Sequence, residues 1–228
     1  MVFVIPAPPA PVLSVVDSEG VFPVRRVYCV GRNYADHARE MGGNPDRDPP
    51  FFFGKPSDAV VPGGGDIAYP PLTSNLHHEV ELVAALGSGG RDIPVERALA
   101  CVYGYAVGID LTRRDLQTAF KEKGQPWEMA KGFDQSAPVS ALMPAARCGH
   151  LASGAIWLSV DGADRQRGDL AQMTWNVAEV IAHLSTYMLL APGDLIFTGT
   201  PSGVGALARG NRVRCGIQGV GELEIALV

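Results

Sequence analysis

Apolar residues in this chain occur mostly in short runs separated by glycine and proline, a pattern that predicts many short strands joined by turns. The predicted strands lie at residues 27–30, 51–53, 77–86, 102–110, 156–160, 195–198, 212–215 and 222–227. The three consecutive phenylalanines at 51–53 predict a buried strand. In the run at 102–110, Gly104 and Gly108 indicate bends or a close approach of another backbone.

Four segments predict helices, at about 34–41, 94–100, 112–123 and 176–190. The first should end at the glycine pair 42–43 and lead into a polar loop at 44–50. Thr112 is the predicted N-cap of the third helix, with Asp115 three positions on. Asn176 and Glu179 have the spacing of a capping box at the start of the fourth.

The N-terminal segment differs in composition from the rest of the chain. Five prolines among residues 1–24 exclude a helix there, so we expect residues 1–23 to form an extended arm. Residues 24–228 contain no internal repeat and no linker, which predicts one domain. Strands and helices do not alternate regularly in it, so the expected fold class is α+β with a mixed sheet and a few short helices.

Charge and cysteine content exclude several classes of protein. The formal net charge of the 228 residues is −5, and no run of Lys and Arg exceeds two, so nucleic acid is an unsuitable partner. The four cysteines lie far apart, which argues against structural zinc and a disulfide framework. The proline-rich start lacks the features of a signal peptide, and no apolar stretch approaches the roughly 18–20 residues that span a membrane. We therefore expect a cytoplasmic protein without a membrane partner.

A pair of glutamates in the run at 77–86 is the first indication of chemistry. Alternate residues of a strand share a face, so Glu79 and Glu81 should point the same way. Two carboxylates on a buried strand repel each other unless a cation compensates them, and carboxylate oxygens suit Mg²⁺, Mn²⁺ or Ca²⁺. Taken alone, the pair is more often a strand face in water. His77 shares the face, as a ligand, a supporting residue or neither.

Asp110 ends the apolar strand at 102–110 and occupies a typical position for a third carboxylate ligand. By itself, such an aspartate is more often a turn or capping residue. The three carboxylates together predict a divalent-metal site.

His37 and Glu40 are neighbours on the first predicted helix, because residues three apart on a helix lie side by side. A carboxylate that orients an imidazole makes it a better general base. The segment lies between glycines and a polar loop, which suits a mobile lid. The alternative is an ordinary surface helix with a charged face.

Two further segments carry candidate ligand-binding groups. Lys131 is the single lysine of the aromatic and glycine-containing segment WEMAKGFD, where it is either an anion-binding group or simply solvated. The segment TGTPSGVG, which contains Thr200, has glycines that allow backbone N–H groups to approach an anion. It lacks the Gly-Lys-Ser/Thr of a P-loop, so nucleotide binding is not supported.

In combination, these segments resemble the fumarylacetoacetate hydrolase family. The resemblance rests on YCVGRNYADHAREMG, FFFGKPSDAV, LHHEVELVAALG, YGYAVGIDLTRRDLQ, PWEMAKGFDQSAPV and DLIFTGTPSGVG. Within the family, the phrases RDPPFFFGKP, FDQSAP and GAIWLSVDG resemble its bacterial fumarylpyruvate hydrolase subgroup, which belongs to the acylpyruvases. One departure is Gly54, where relatives usually carry a bulkier residue before Lys-Pro.

The resemblance implies the family's mixed β-roll, a homodimer and one Mg²⁺ or Mn²⁺ per subunit. It also implies roles for individual residues. Those residues are Glu79, Glu81 and Asp110 as metal ligands, His37 and Glu40 as the catalytic dyad of the lid, Lys131 as the active-site lysine, and Arg114, Gln117, Lys131 and Thr200 as substrate contacts.

The expected reaction is hydrolysis of the C–C bond of a 2,4-diketo acid such as 3-fumarylpyruvate, giving fumarate and pyruvate in gentisate degradation. An oxaloacetate decarboxylase or a diketo-acid isomerase/decarboxylase of the same family remains an alternative, because these enzymes use the same chelation. A non-catalytic metal-binding module leaves the dyad and Lys131 without a role. A serine hydrolase is excluded by the absence of a G-x-S-x-G sequence.

Overall fold

A computed structural model describes residues 3–40 and 48–228. Within these ranges the chain forms 18 short strands, six short α-helices and three single 3₁₀ turns. The strands are β1 (Val12–Ser14), β2 (Val21–Pro23), β3 (Arg26–Gly31), β4 (Phe51–Lys55), β5 (Val60–Pro62), β6 (Gly65–Ile67), β7 (Leu76–His78), β8 (Val80–Leu86), β9 (Val102–Ile109), β10 (Thr112–Arg113), β11 (Ala137–Val139), β12 (Met143–Pro144), β13 (Ala155–Val160), β14 (Ala163–Asp169), β15 (Asp194–Phe197), β16 (Gly205–Leu207), β17 (Arg212–Ile217) and β18 (Gly221–Leu227). The helices are α1 (Ala35–Glu40), α2 (Val95–Ala98), α3 (Arg114–Glu122), α4 (Glu128–Lys131), α5 (Ala145–Cys148) and α6 (Val177–Tyr187).

The central sheet contains eight strands. Seven follow the order β4-β3-β15-β8-β9-β11-β5, and β12 pairs with part of β9. β3 and β15 are parallel, as are β5 and β11, whereas the other neighbouring pairs are antiparallel. This mixed sheet with few short helices confirms the predicted α+β class.

Three smaller sheets complete the fold within the described residues. One has five strands in the order β14-β13-β17-β18-β6, another has three in the order β10-β7-β16, and the third is the pair β1-β2. The three-stranded sheet joins the segment before β8, the start of α3 and the loop after β15. It therefore brings together three parts of the chain that carry candidate site residues.

Strand β8 separates two apolar clusters. Every residue of β8 is buried. Val80, Leu82 and Ala84 belong to the larger cluster, while Val83 and Ala85 belong to the smaller one. Because Glu79 and Glu81 share the parity of Val83, they lie on the same face of the sheet as the smaller cluster. The backbone alternation thus separates the two glutamates from the larger core.

Gly104 and Gly108 in β9 have the close neighbours that the sequence predicted. A Cβ atom at Gly108 would lie 2.6 Å from side-chain atoms of Val83 and Phe197. A Cβ at Gly104 would lie 2.5 Å from the carbonyl oxygen of Met143. Both glycines are required because larger residues would push neighbouring strands apart.

Three details of the predicted elements are wrong. The strand at the phenylalanines exists as β4, but it lies at an edge of the central sheet, and Phe51 is exposed. Thr112 is not an N-cap, because residues 112–113 pair with β7 and α3 begins at Arg114. The hydroxyl of Thr112 donates instead to the carbonyl of Asp110 at 3.1 Å. The sequence pattern also did not predict several of the short strands, among them β5, β6, β11, β14 and β16.

Helix boundaries agree in part with the predictions. The capping box of Asn176 and Glu179 is present at the start of α6, which ends at Tyr187, three residues earlier than expected. Helix α1 covers most of the predicted segment, and its predicted end at residues 41–43 and the loop at 44–47 lie outside the described residues. In the part of the chain that the structure describes, no helix is both long and apolar enough to cross a membrane.

The N-terminal segment contains no helix between residues 3 and 24. β1 and β2 pair in an antiparallel arrangement, with Leu13 opposite Phe22. Both side chains are buried in the smaller apolar cluster. The apolar positions of this segment therefore contribute to the core beneath the site.

Candidate metal centre and active-site pocket

Three buried carboxylates converge at the ends of β8 and β9. Glu79 links β7 to β8, Glu81 lies within β8, and Asp110 directly follows β9. The backbone N–H of Asp110 donates to the carbonyl of Glu79 at 2.8 Å, which extends the ladder between these strands. One ligand atom from each carboxylate lies within 4.8 Å of the others. The alternative of a strand face in water is therefore wrong for Glu79 and Glu81.

Three buried cations surround two of these carboxylates. Lys131 Nζ lies 2.8 Å from Glu79 Oε2 and 2.6 Å from Asp110 Oδ2. Lys55 Nζ lies 2.7 Å from Asp110 Oδ1, and the guanidinium of Arg114 forms an ion pair with Glu79. Positive charge is thus concentrated around Glu79 and Asp110.

Glu81 is compensated much less. Its Oε2 accepts a hydrogen bond from the backbone N–H of Gly199 at 2.7 Å. Burial, together with the charges of Asp110 and Glu79, raises the pKa of Glu81 well above its usual value. Burial acts in the same direction on Glu79, but the charges of Lys131 and Arg114 outweigh it and lower its pKa. The cluster therefore has a shortage of positive charge beside Glu81.

This arrangement fits a divalent cation. All three ligating groups are hard carboxylate oxygens, the donors that Mg²⁺ and Mn²⁺ prefer. Asp110 Oδ1 lies close to Lys55 but accepts no well-oriented hydrogen bond from the described residues. A cation at the triad would compensate both this oxygen and Glu81. Glu79, Glu81 and Asp110 are therefore a group that could hold Mg²⁺ or Mn²⁺.

His37 and Glu40 are adjacent on α1, as their spacing predicts. His37 Nδ1 lies 3.1 Å from Glu40 Oε2, and His37 is 6% exposed. The carboxylate of Glu40 also accepts the backbone N–H of Gly203, at 3.1 and 3.2 Å from its two oxygens. Because a carboxylate only accepts, Nδ1 carries the hydrogen of this contact, and in the neutral form of the ring Nε2 is the nitrogen with the lone pair. The two residues thus form a pair that is fixed to the loop after β15.

The triad and the histidine line one cavity of about 210 Å³. Aromatic side chains of Phe51, Phe53 and Trp127 form part of its wall. Arg32 and Lys121, both exposed, also line it. The cavity is therefore small, partly apolar and rich in cationic groups. Its remaining lining residues are Val30, Gly31, His37, Glu79, Glu81, Asp110, Arg114, Gln117, Thr118, Lys131, Gly199 and Thr200.

Arg114 and Gln117 enter this cavity from the first turn of α3. The guanidinium of Arg114 donates to Gln117 Oε1 and to Glu79. Its Nε donates to His77 Nδ1 at 3.3 Å, and the other ring nitrogen of His77 lies 2.9 Å from Asn75 Oδ1. Burial and the charge of Arg114 lower the pKa of His77 to about 4, so the ring is neutral at pH 7. His77 therefore supports Arg114, and it lies outside the cluster of three metal-ligating groups found among the described residues.

Thr200 lies in the same cavity, on the loop that follows β15. It is 2% exposed, and its hydroxyl accepts a hydrogen bond from Gln166 Nε2 at 2.7 Å. The adjacent Gly199 has φ of 94°, and a Cβ there would lie 2.7 Å from the Cβ of Asn33. Only glycine allows this loop to approach the segment before α1 so closely.

Gly54, the departure from the resemblance, lies in β4 and pairs with Tyr28. A Cβ at this position would meet the carbonyl oxygen of Val27 at 3.6 Å, which is an ordinary contact. The absence of a side chain therefore relieves no crowding, and Gly54 does not line the cavity of the triad.

Three buried residues with polar contacts at the site were not identified from the sequence. Lys55 donates to the carbonyls of Leu111 (3.2 Å) and Lys131, besides contacting Asp110. Asn33 donates to the carbonyls of Trp175 (2.8 Å) and Thr198 (2.7 Å), and so fixes the segment before α1 to the loop that bears Thr200. Gln166 contacts Thr200 from β14. Lys55 and Asn33 lie within motifs already noted, whereas no local pattern marks Gln166.

The comparisons with a family model and with solved structures agree on one protein family. Residues 26–228 match the family model described as fumarylacetoacetate (FAA) hydrolase C-terminal. Among solved structures, the fumarylpyruvate hydrolase from Pseudomonas aeruginosa in complex with Mn²⁺ and pyruvate is 55% identical, with a TM-score of 0.97, and the match covers 99% of each chain.

Relatives with other names are also similar. The mitochondrial oxaloacetate decarboxylase of Dictyostelium discoideum is 43% identical over 197 residues, which are 86% of this chain and 90% of that protein. The mitochondrial oxaloacetate tautomerase of Homo sapiens is 41% identical over 196 residues, 86% of this chain and 88% of that protein. Proteins with this scaffold and similar sequences thus carry names for more than one reaction.

Proposed function

We propose that this chain, which belongs to the fumarylacetoacetate hydrolase family, is a metal-dependent hydrolase that cleaves the C3–C4 bond of a 2,4-diketo acid. The proposed substrate is 3-fumarylpyruvate, and the products are fumarate and pyruvate. The observation that carries the proposal is the His37–Glu40 pair beside the carboxylate triad in one cavity. Hydrolysis needs a general base that takes a proton from the attacking water, and a histidine that is oriented by a carboxylate can act as that base.

The substrate is an anion, and the charges of the site suit it. When all are ionised, Glu79, Glu81 and Asp110 are balanced by Lys55, Lys131 and Arg114. A divalent cation then leaves an excess of two positive charges, which matches a dicarboxylate. When bound, Mg²⁺ or Mn²⁺ would supply Lewis-acid stabilisation of the negative charge that develops on the pyruvate half.

His37 would act on the attacking water. Its Nδ1–H is held by Glu40, so Nε2 is the nitrogen that takes a proton from water. The hydroxide then attacks C4, the C3–C4 bond breaks, and its electron pair remains on the pyruvate half as an enolate. The proton on His37 returns to C3, which completes pyruvate. The Glu40 carboxylate stabilises the imidazolium between these two transfers.

The remaining residues would bind negative charge. Lys131 and Arg114 are buried beside the triad and supply fixed positive charge. Gln117 and Thr200 offer hydrogen-bonding groups in the same cavity. Such preorganised groups stabilise developing charge without having to reorient, which is the main way in which a site of this kind lowers a barrier.

A second reaction, conversion of oxaloacetate by decarboxylation or tautomerisation, is favoured by the names of the relatives that are 41–43% identical. Oxaloacetate is also a dicarboxylic 2-keto acid and would use the same charges. The identity of 55% to the fumarylpyruvate hydrolase from P. aeruginosa supports hydrolysis over this alternative.

Parallel assays of the purified protein with Mn²⁺ would separate the two reactions. We expect kcat/KM for fumarylpyruvate hydrolysis to exceed that for oxaloacetate by about 100-fold or more, since discrimination of this size is usual for a site matched to one substrate. A chelator should abolish both activities. A preference for oxaloacetate would overturn the hydrolase assignment. We also propose that the protein is a homodimer and acts in gentisate degradation. Light scattering of the protein as it elutes from a size-exclusion column measures its mass and tests the dimer.

A further inference from the structure

Gln166 is an unusual residue in β14. The strand has the sequence ADRQRGD, and Gln166 is its one fully buried side chain, at 1% exposure. Its amide makes four hydrogen bonds. Oε1 accepts from the backbone N–H of Val80 (3.1 Å) and contacts His78 Nδ1 (3.0 Å), while Nε2 donates to Thr200 Oγ1 (2.7 Å) and to the carbonyl of Pro201 (2.8 Å).

The orientation of this amide follows from its partners. A backbone N–H can only donate, so the atom that faces Val80 must be the oxygen. A backbone carbonyl can only accept, so the atom that faces Pro201 must be the nitrogen. Two independent partners therefore assign the same orientation, and Thr200 Oγ1 must accept a hydrogen bond from the amide NH₂.

The Thr200 hydroxyl accepts a hydrogen bond from Gln166 through one lone pair, so the hydroxyl hydrogen points away from the amide. Among the described residues it has no other hydrogen-bond partner, and the residue lines the active-site cavity. We propose that Gln166 is a positioning residue that makes the Thr200 hydroxyl a hydrogen-bond donor toward an anionic oxygen of the ligand. This inference rests on the proposed function for the identity of that ligand.

Gln166 also connects the two halves of the site. Its oxygen is held by the segment that flanks Glu79, and its nitrogen holds the loop that carries Thr200. Because Oε1 accepts two donors, the amide is polarised and its NH₂ becomes a stronger donor. The hydroxyl is thus oriented relative to the metal-ligating strand rather than by its own loop alone.

Gln166→Glu is the informative substitution. It preserves size and the oxygen that faces Val80, but it replaces the NH₂ with a second acceptor. The Thr200 hydroxyl would then donate to the new carboxylate and turn its lone pairs to the ligand. Thr200→Val removes the hydroxyl, and Thr200→Ser keeps it. Gln218→Glu is the control for the added charge, because it makes the same change at an exposed position where the side-chain oxygen accepts from Ala155 N.

The test is a double-substitution cycle read by binding of oxalate, a planar analogue of the pyruvate enolate, to the Mn²⁺-loaded protein in calorimetry. We expect Gln166→Glu and Thr200→Val each to weaken oxalate binding about 10- to 100-fold, the usual effect of losing a hydrogen bond to a charged group. Combined, they should weaken it no more than Thr200→Val alone. Gln218→Glu should bind oxalate as the unaltered protein does, and Thr200→Ser, which keeps the hydroxyl, should bind it more tightly than Thr200→Val.

Two results would overturn the proposal. One is multiplication of the two losses in the double variant, which would mean that Gln166 acts independently of Thr200. The other is unchanged oxalate binding in Thr200→Val. Thermal unfolding and Mn²⁺ affinity of each variant report a general loss of structure, and Gln166→Met provides a neutral substitution if the added charge impairs folding. Failure of fumarylpyruvate turnover would refute the proposed function but leave this binding cycle interpretable.

Discussion

Replacement of Lys55 by methionine should destabilise the metal-free protein far more than the metal-bound protein. The ammonium of Lys55 is fully buried and lies 2.7 Å from Asp110 Oδ1. It also donates to the carbonyls of Leu111 and Lys131. Methionine has a similar length and fits an apolar stem, but it leaves the Asp110 charge without this partner. Lys131 would remain on the other oxygen of Asp110, at 2.6 Å.

Removal of one partner from a buried ion pair typically costs about 3–5 kcal/mol, because the remaining charge is buried without compensation. The lost hydrogen bonds to two carbonyls add about 1–3 kcal/mol in either state. We therefore expect the free energy of unfolding without metal to fall by roughly 4–8 kcal/mol. With saturating Mn²⁺, which would compensate Asp110, only the second contribution of about 1–3 kcal/mol should remain.

Urea denaturation followed by tryptophan fluorescence, with chelator and with Mn²⁺, measures both values. Asp110→Asn combined with Lys55→Met is the matched control, since removal of both charges should restore part of the stability of the metal-free protein. Equal destabilisation with and without Mn²⁺ would refute the reasoning. It would mean that Lys55 acts through its backbone contacts and not through the carboxylate.

Three further predictions concern chemistry. His37→Gln should lower kcat for fumarylpyruvate by about 100- to 10,000-fold, the usual contribution of a general base, while Mn²⁺ affinity in calorimetry stays unchanged. Mn²⁺ should bind more weakly at acidic pH, because the raised pKa of Glu81 means that this carboxyl group must lose a proton before the cation binds. Glu81→Gln should abolish both Mn²⁺ binding and this pH dependence. Arg32→Gln should raise KM for fumarylpyruvate and leave KM for acetylpyruvate unchanged, since the latter has no distal carboxylate to meet the exposed cation.

The pKa shifts also set opposite trends in the stability of the metal-free protein. The pKa of Glu81 is raised on folding, so its contribution to stability is present at acidic pH and is lost as pH rises through the folded-state pKa. The pKa of Glu79 is lowered on folding, so its contribution is present above its unfolded-state pKa and is lost as pH falls. Above the unfolded-state pKa of a glutamate, the trend should therefore be decided by Glu81, and Mn²⁺ should remove it.

The strands that carry the triad could be predicted because their signals are local. Alternation in 77–86 places Glu79 and Glu81 on one face, and Asp110 terminates an apolar run. The position of a strand within its sheet is not local information. The phenylalanines of β4 have the composition of a buried strand, yet β4 pairs only with β3 among the described residues and is left at an edge. Thr112 likewise has the composition of an N-cap, and pairing with β7 takes precedence.

The burial of Lys55 and Gln166 at the site was harder to predict for the same reason. Lys55 reaches Asp110 across 55 residues of sequence, and Gln166 reaches Thr200 from a different sheet. Neither residue departs from the local pattern of its strand in a way that reveals burial. Only the three-dimensional arrangement shows that a lysine and a glutamine are enclosed there.

The two candidate reactions share a requirement for ligand binding, but they differ in whether water must be activated. Under the proposed function, the triad with its metal, the three cations and Thr200 would bind a dicarboxylic 2-keto acid, and either reaction requires that binding. Activation of water is required only for hydrolysis. Glu40 is fixed by the N–H of Gly203, three residues beyond Thr200, so one loop supports both the base pair and the ligand-binding hydroxyl. Loss of CO₂ requires no base for water, so this coupling favours hydrolysis over decarboxylation, whereas tautomerisation also needs a base and is separated from hydrolysis by the parallel assays.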